Sequence, residues 1–328
     1  MKVGGGFKIK LNKKMSGHDS EAEKRMANRF TKPADAVRYI TELESLDLST
    51  VTDRQLEALL DKFFPVFPYT RGIIEAGEEV FRARINVNNV PYTNVKDIYV
   101  RDRDAILTYG RAHRPCEQIF YCSSNYLLAA FEVIQEMKHD NNPNGVVADL
   151  TIGIWKAQRD LQVTNIIHSK KLHDLRKDIL ELYKSNQDLL NNGRLQSETI
   201  DANNLLLQFF SDQFTKDNIK DNAEYRISSL YASRLKQAND LLAPQYYSER
   251  FDGINYPSVA MKFKGDNQAI FTDNFQSKFQ IVNAIQVVCG NINFETGEFM
   301  SGVLHEAESI DDGVIKWSKE IYQPKTPI

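Results

Sequence analysis

Cysteine is scarce in this chain of 328 residues: there are three, Cys116, Cys122 and Cys289. Scattered singly, they supply neither a disulfide framework nor a CxxC metal knuckle, and they read as thiols of a reducing compartment. No run of about 18 apolar residues occurs, so no segment reads as a membrane-spanning helix. The first ten residues hold no apolar stretch that would form the core of a signal peptide, and a cytoplasmic protein with no membrane partner is expected. An excess of one charge is missing as well, since 41 Lys plus Arg stand against 44 Asp plus Glu for a net charge of −3. No global basic field is left to displace counterions, so no direct nucleic-acid binding is expected. Absent too are the GxxxxGK[ST] loop, GxGxxG after a strand, HExxH and GxSxG. His168 and His173 lie five apart, which on a helix turns them about 140° away from each other. They read as surface histidines, and no metal site is expected.

With 42% hydrophobic and 26% charged residues, the sequence has the material for an ordinary core, in one large domain or two modest ones. The first forty residues carry ten basic side chains against four acids and three consecutive glycines, Gly4 to Gly6. They read as a basic tail, either merely solvated or an anionic docking arm. From Asp53, the residues Leu56, Leu59, Leu60, Phe63 and Phe64 form a helical stripe that Pro65 and Pro68 end. Val80–Ile85 and Gln118–Cys122 read as strands. A helix capped by Ser123 or Ser124 follows, with Leu127, Phe131 and Ile134 as its buried stripe and Glu132 on the adjoining face, closed by the turn residues 140–145. From 166 to 242 the chain is rich in Leu, Lys, Asp, Asn and Gln and periodic as helix. Strand composition returns at Tyr256–Phe263 and Phe279–Cys289, and Phe294–Phe299 has the marks of a hairpin with Gly297 near its tip.

Arginine and aromatic residues are concentrated in strand-like sequence: Arg82, Arg84, Tyr92, Tyr99, Arg101, Arg103, Tyr109, Arg111, His113 and Arg114. Arg82 and Arg84 are two apart, so on one strand they share a face. Paired guanidiniums repel each other unless an anion such as a diphosphate comes between them. The alternative is that Asp97, Asp102 and Asp104 neutralise the cluster as a salt-bridged surface.

These residues also carry a resemblance. Phe81-Arg82-Ala83-Arg84-Ile85, Tyr92, Gly110-Arg111-Ala112-His113-Arg114-Pro115, Ile119-Phe120-Tyr121-Cys122-Ser123 and Ala129-Ala130-Phe131-Glu132-Val133 are similar to the RES domain family. So are Gly253-Ile254-Asn255-Tyr256-Pro257-Ser258-Val259 and Gly265-Asp266-Asn267-Gln268-Ala269-Ile270. His113 stands where the family has Asn, and a long stretch separates Glu132 from Ser258.

The resemblance implies an enzyme: a toxin of a bacterial toxin–antitoxin pair that consumes NAD+ by cleaving its nicotinamide–ribose bond, with NAD+ as substrate and no metal. Its implied site residues are Arg82, Tyr92, Glu132 and Ser258, with Arg84 and Arg111 as further ligands. Glu132 would hold the ribose and stabilise an oxocarbenium-like transition state. Arg82, aided by Arg84 or Arg111, would pair with the diphosphate, Tyr92 would cover the nicotinamide, and Ser258 would hydrogen-bond the carboxamide or a ribose hydroxyl. Water or phosphate as acceptor gives a glycohydrolase or phosphorylase, and a protein acceptor gives an ADP-ribosyltransferase. A non-catalytic anion-binding or assembly module is the reading from another class. A helix-turn-helix antitoxin is the implied protein partner, and a homo-oligomer stays open.

The fold implied is α+β, with an ADP-ribosyltransferase-like mixed sheet core. A basic tail and helical N-terminal subdomain would occupy 1–75 and the catalytic domain 76–320, interrupted by a large helical insertion at about 166–242, with a C-terminal tail at 321–328.

Overall fold

A computed structural model describes residues 32–63, 69–135, 137, 147–192, 196–241, 250–318 and 323–325. The basic segment before residue 32, the end of the first helical stripe at Phe64 with Pro65 and Pro68, and the turn at 140–145 lie outside the described residues. The architecture is mixed α and β, as expected. In chain order the helices are α1 (Pro33–Glu44), α2 (Asp53–Phe63), α3 (Val95–Ile98), α4 (Tyr126–Ile134), α5 (Lys170–Leu175), α6 (Lys177–Asn191), α7 (Ser197–Phe214) and α8 (Arg226–Leu241). The strands are β1 (Arg71–Ile74), β2 (Glu79–Ile85), β3 (Ile119–Ser123), β4 (Ala148–Ala157), β5 (Leu161–Asn165), β6 (Gly253–Pro257), β7 (Asp266–Phe271), β8 (Phe279–Asn293), β9 (Glu298–Asp311), β10 (Val314–Trp317) and β11 (Gln323–Lys325).

The chain forms two compact units. The first comprises Met1–Ile73, Thr108–Pro115 and Gln162–Ile254, so the segment 166–242 and the N-terminal helices share one body. Its core is helical: Leu43 of α1, Leu56 and Leu60 of α2, Phe210 and Phe214 of α7 and Tyr231 of α8 are almost fully buried. The Phe210 and Tyr231 rings stand 4.4 Å apart. At the start of α8, Arg226 is buried and donates to the carbonyls of Leu48 and Val51 and to Asp53, whose other oxygen accepts from Tyr109 at 2.6 Å. Burial works to raise the Asp53 carboxyl, but these hydrogen bonds and the Arg226 charge outweigh it and hold it below the ordinary range.

The second unit comprises Ile74–Leu107, Cys116–Leu161 and Asn255–Ile328. Its strands run in the order β7-β3-β2-β4-β8-β9-β10, with β6 beside β7 and β11 paired to β9. Every pair from β7 to β10 is antiparallel. Helix α4 packs on one sheet face: Ala129, Ala130, Phe131 and Ile134 meet Ala83, Leu150, Ile152, Ile285 and Val287, with Phe81 and Ile85 alongside. Burying that apolar surface is what fixes α4 to the sheet. Its cap differs from the expectation. Asn125 accepts from the Leu128 amide at 2.8 Å, and the helix starts at Tyr126, so Leu128 rather than Leu127 enters the core.

Strand β6 ends at Pro257, short of the expected Phe263. Ser258 to Gly265 instead fold back as a turn, with the Ser258 amide on the Gly265 carbonyl at 2.9 Å and the Phe263 amide on the Ser258 carbonyl at 2.7 Å. Lys262 and Phe263 adopt positive φ there, at 50° and 66°, a costly conformation for residues with a Cβ. Strand β8 runs on to Asn293, and the hairpin to β9 turns at Gly297, whose φ of 78° suits glycine.

Candidate functional site

The second unit brings Glu132 and Ser258 together. On α4, Glu132 is half-buried, and its Oε1 accepts from the hydroxyl of fully buried Ser258 and from Asn267 Nδ2 at 2.6 Å. Asn267 is oriented in turn by Ser123, whose hydroxyl donates to its Oδ1 at 2.7 Å, so its NH2 faces the carboxylate. The Ser258 hydroxyl also accepts from the Met261 amide at 3.2 Å. Glu132 Oε2 has no hydrogen-bond partner among the described residues. A carboxylate with one oxygen anchored by two donors and the other unengaged is held in orientation while keeping acceptor capacity for a hydroxyl or a developing cation. The positive φ values at Lys262 and Phe263 lie in the turn that carries Ser258.

The arginine pair lies elsewhere. Phe81 pairs directly with Ser123, and Phe81, Ala83 and Ile85 face α4. Side chains alternate along a strand, so Arg82 and Arg84 project from the opposite face of the sheet. There Arg82 is 8% exposed and donates from Nε to the Tyr99 carbonyl at 2.7 Å and from Nη1 to the Tyr121 carbonyl at 2.6 Å. Arg84 shares the Tyr99 carbonyl at 3.1 Å, and the Arg82 guanidinium stands 5.2 Å from the Phe120 ring centre. Arg82 does not ion-pair with Asp97, Asp102 or Asp104; carbonyls and an aromatic face hold it. Burial and the neighbouring Arg84 and Arg101 charges push Arg82 down to about 9, still cationic at neutral pH. Its Nη2 has no hydrogen-bond partner among the described residues.

Tyr92 stands on this second face. Its hydroxyl donates to the Ile85 carbonyl at 3.2 Å, its amide to Thr151 at 3.1 Å, and its carbonyl accepts from the Trp317 indole at 3.0 Å. Arg111 belongs to the first unit, where Nη1 donates to the Phe214 carbonyl at 2.5 Å and the guanidinium lies 5.0 Å from the Tyr225 ring centre. Gly110 sits against the His113 ring, which a Cβ on Gly110 would meet at 2.1 Å. Of the residues expected to form one pocket, Glu132 and Ser258 meet directly, Arg82, Arg84 and Tyr92 share the other sheet face, and Arg111 is engaged in the helical unit.

Asn267 and Ser123 complete the Glu132 cluster, and residue types alone did not single them out. Asn267 did stand inside the Gly265-to-Ile270 motif, which was the available signal. The buried thiols offer no nucleophile: burial raises Cys122 and pushes Cys289 up to about 12. Among the described residues no group of three or more His, Cys, Asp or Glu side chains is placed to hold a metal ion, and no helix is long and apolar enough to cross a membrane.

The histidines depart from the sequence reading. His168 is 3% exposed rather than a surface residue; it precedes α5, and its ring stands edge-on to Tyr183 at 5.2 Å. His173 lies 4.5 Å from the same ring and bonds the Ile167 carbonyl at 2.7 Å. Tyr183 on α6 draws both rings together, which spacing along one helix does not anticipate. Comparison with known proteins adds no identity: no family model matches the chain, and no curated protein does.

Proposed function

We propose that this chain cleaves the nicotinamide–ribose bond of NAD+, with Glu132 as the carboxylate that faces the ribose. The observation that carries the reading is the clamp on Glu132: Oε1 fixed by Ser258 and Asn267, Oε2 unengaged. It is supported by the order of the Arg, Glu and Ser motifs that resemble the RES domain family. In the reaction the bond from ribose C1′ to the pyridinium nitrogen breaks, and its electron pair leaves with nicotinamide, which becomes neutral. The positive charge passes to C1′ and the ring oxygen, where a fixed carboxylate in a partly water-excluded site stabilises it. A water or phosphate oxygen then bonds to C1′, and with water a proton is released. Ser258 acts here by holding Glu132, not as a nucleophile, because it is fully buried and its hydroxyl oxygen already accepts from the Met261 amide. Depletion of NAD+ by such an enzyme is harmful to its host cell, so a toxin role with a neutralising protein partner belongs to the same proposal.

A second reading is favoured by one observation. Arg82 and Glu132 lie on opposite faces of the sheet, so an anion held at Arg82 would not sit beside Glu132. In that reading the arginine face binds an anion without catalysis. The test is to incubate the purified chain with NAD+, with and without phosphate, and follow nicotinamide by chromatography. Release that disappears in Glu132→Gln supports cleavage, and phosphate dependence identifies the acceptor. Release that is unchanged in Glu132→Gln overturns the assigned role. Bound nucleotide recovered intact points to the binding module.

A further inference from the structure

A cleft of about 280 Å3 in the helical unit is lined by His168, Tyr183, Asp201, Asn204, Leu205 and Gln208. Its construction follows from helix periodicity. Asp201, Asn204, Leu205 and Gln208 fall at positions three and four apart on α7 and so share one stripe of that helix. Tyr183 and Gln187 come from α6, where Gln187 and Asn204 exchange a reciprocal pair of amide hydrogen bonds at 2.9 and 2.8 Å. That pair holds Asn204 in place and engages one donor and one acceptor of its amide. Among the described residues no lysine or arginine lines it, and the one charged lining residue among them, Asp201, is exposed.

At this cleft stands one of five described residues whose side chain has a buried polar atom without a hydrogen-bond partner. His168 is 3% exposed, and its Nε2 is buried with no hydrogen-bond partner among the described residues. Its Nδ1 lies 3.4 Å from the Thr70 hydroxyl, and its backbone amide donates to Ser211 at 3.1 Å, so the imidazole is held from the other side. A buried ring nitrogen without a partner carries a free-energy cost, which a bound group offers to recover. The Tyr183 hydroxyl and the Gln208 amide are likewise without hydrogen-bond partners among the described residues. Burial, with His173 nearby, pushes the His168 ring down to about 3, so it presents a neutral imidazole at physiological pH.

We propose that this cleft binds a small uncharged molecule with an amide or nitrogen-heterocycle edge, which hydrogen-bonds the Gln208 amide and, as the Tyr183 ring beside it swings aside, His168 Nε2. The donor set decides the class. Neutral imidazole, carboxamide and phenol match an edge that carries both a donor and an acceptor. The absence of a cation among the described lining residues and the presence of Asp201 select against phosphate and carboxylate groups. The volume lies at the small end of ligand pockets, suited to a single heterocycle or a nucleoside and too small for a dinucleotide. The inference stands independently of NAD+ cleavage, since it uses none of the residues assigned to that reaction.

The test uses the full chain labelled with nitrogen-15 histidine. His168 is recognised among the six histidines as an imidazole that stays neutral from about pH 8 to about pH 5. Nicotinamide, adenine and adenosine are titrated separately, with AMP as the anionic counterpart of adenosine. At least one uncharged probe is expected to move the His168 Nε2 resonance saturably, and AMP to bind at least about tenfold more weakly than adenosine. Leu205→Trp, which fills the cleft from a partly exposed position, abolishes the shift, and Gln208→Ala weakens it; both are compared at matched thermal stability. The proposal is overturned if no uncharged probe moves the resonance up to about 10 mM. In that case the Tyr183 ring face already satisfies Nε2. Binding of AMP as tight as adenosine, or a response that persists in Leu205→Trp, overturns it equally.

Discussion

Ser258 donates its hydroxyl proton to Oε1 of Glu132 across 126 positions of sequence. The bond joins the turn after β6 to the last part of α4, and it makes the orientation of the carboxylate depend on a residue fully buried beneath it. Holding a carboxylate and attacking a substrate are different tasks for a serine, and they predict different losses. If Ser258 holds Glu132, Ser258→Ala lowers the rate of nicotinamide release by about tenfold, because Asn267 still anchors Oε1. Glu132→Gln lowers it by about a thousandfold. Equal losses in the two variants, measured as kcat with saturating NAD+, would assign Ser258 a direct chemical part instead.

Asn267 supplies the second anchor at 2.6 Å, and its replacement by aspartate tests electrostatics without much change of shape. Asn267→Asp places a like charge against Glu132, so one of the two carboxyls holds its proton to higher pH. The acid limb of the kcat/KM profile for NAD+ is therefore expected to move up by about one pH unit or more. A purely structural role would lower the whole profile and leave its limb in place.

Much of the fold is legible in the sequence. The alternation in Val80–Ile85 identifies β2 and puts Arg82 and Arg84 on one face, and the helical periodicity of 166–242 is realised in α5 to α8. Alternation does not say which face α4 will cover. That choice is made by Ala129, Ala130 and Phe131 packing against Ala83, Leu150 and Val287, residues brought in from three separate strands and one helix. Glu132 and Arg82 are thereby placed on opposite sides, although both were singled out from sequence. The fold-back from Ser258 to Gly265 escaped notice because Lys262 and Phe263, neither a turn-forming type, take the left-handed conformation. The cap of α4 lies one or two positions beyond Ser123 and Ser124, at Asn125, which as a residue type is an equally good cap.

Arg82 is expected to matter for stability whether or not it meets a ligand. Its Nε and Nη1 satisfy the Tyr99 and Tyr121 carbonyls, which a smaller residue would leave without these donors. Arg82→Met should destabilise the folded chain by about 2–4 kcal/mol, and Arg82→Lys should not restore the loss, because one ammonium cannot reproduce the fork. Had Arg82 served only an anion, its removal would relieve the repulsion from Arg84 and Arg101, and the variant would be at least as stable as the parent. Urea denaturation followed by tryptophan fluorescence separates the two outcomes, with Trp155 and Trp317 reporting on this unit.

His168 gives the chain a pH dependence whose sign is fixed by burial. Its folded value is pushed down to about 3 from 6.5, chiefly by loss of solvent and then by the nearby His173, so the unfolded chain binds the proton more readily. The stability that follows is complete above about pH 6.5 and is lost as the pH falls towards 3. The slope approaches about 1.4 kcal/mol per pH unit if this ring acts alone. Asp53 adds to the acid loss only lower in the range, since its folded value is depressed below that of an ordinary carboxyl. His168→Gln removes the titrating group, so its stability measured from about pH 7 to about pH 5 should fall less steeply than the parent's. Parallel slopes would mean that the imidazole is protonated in the folded chain as easily as in the unfolded one, against its burial beside Tyr183 and His173.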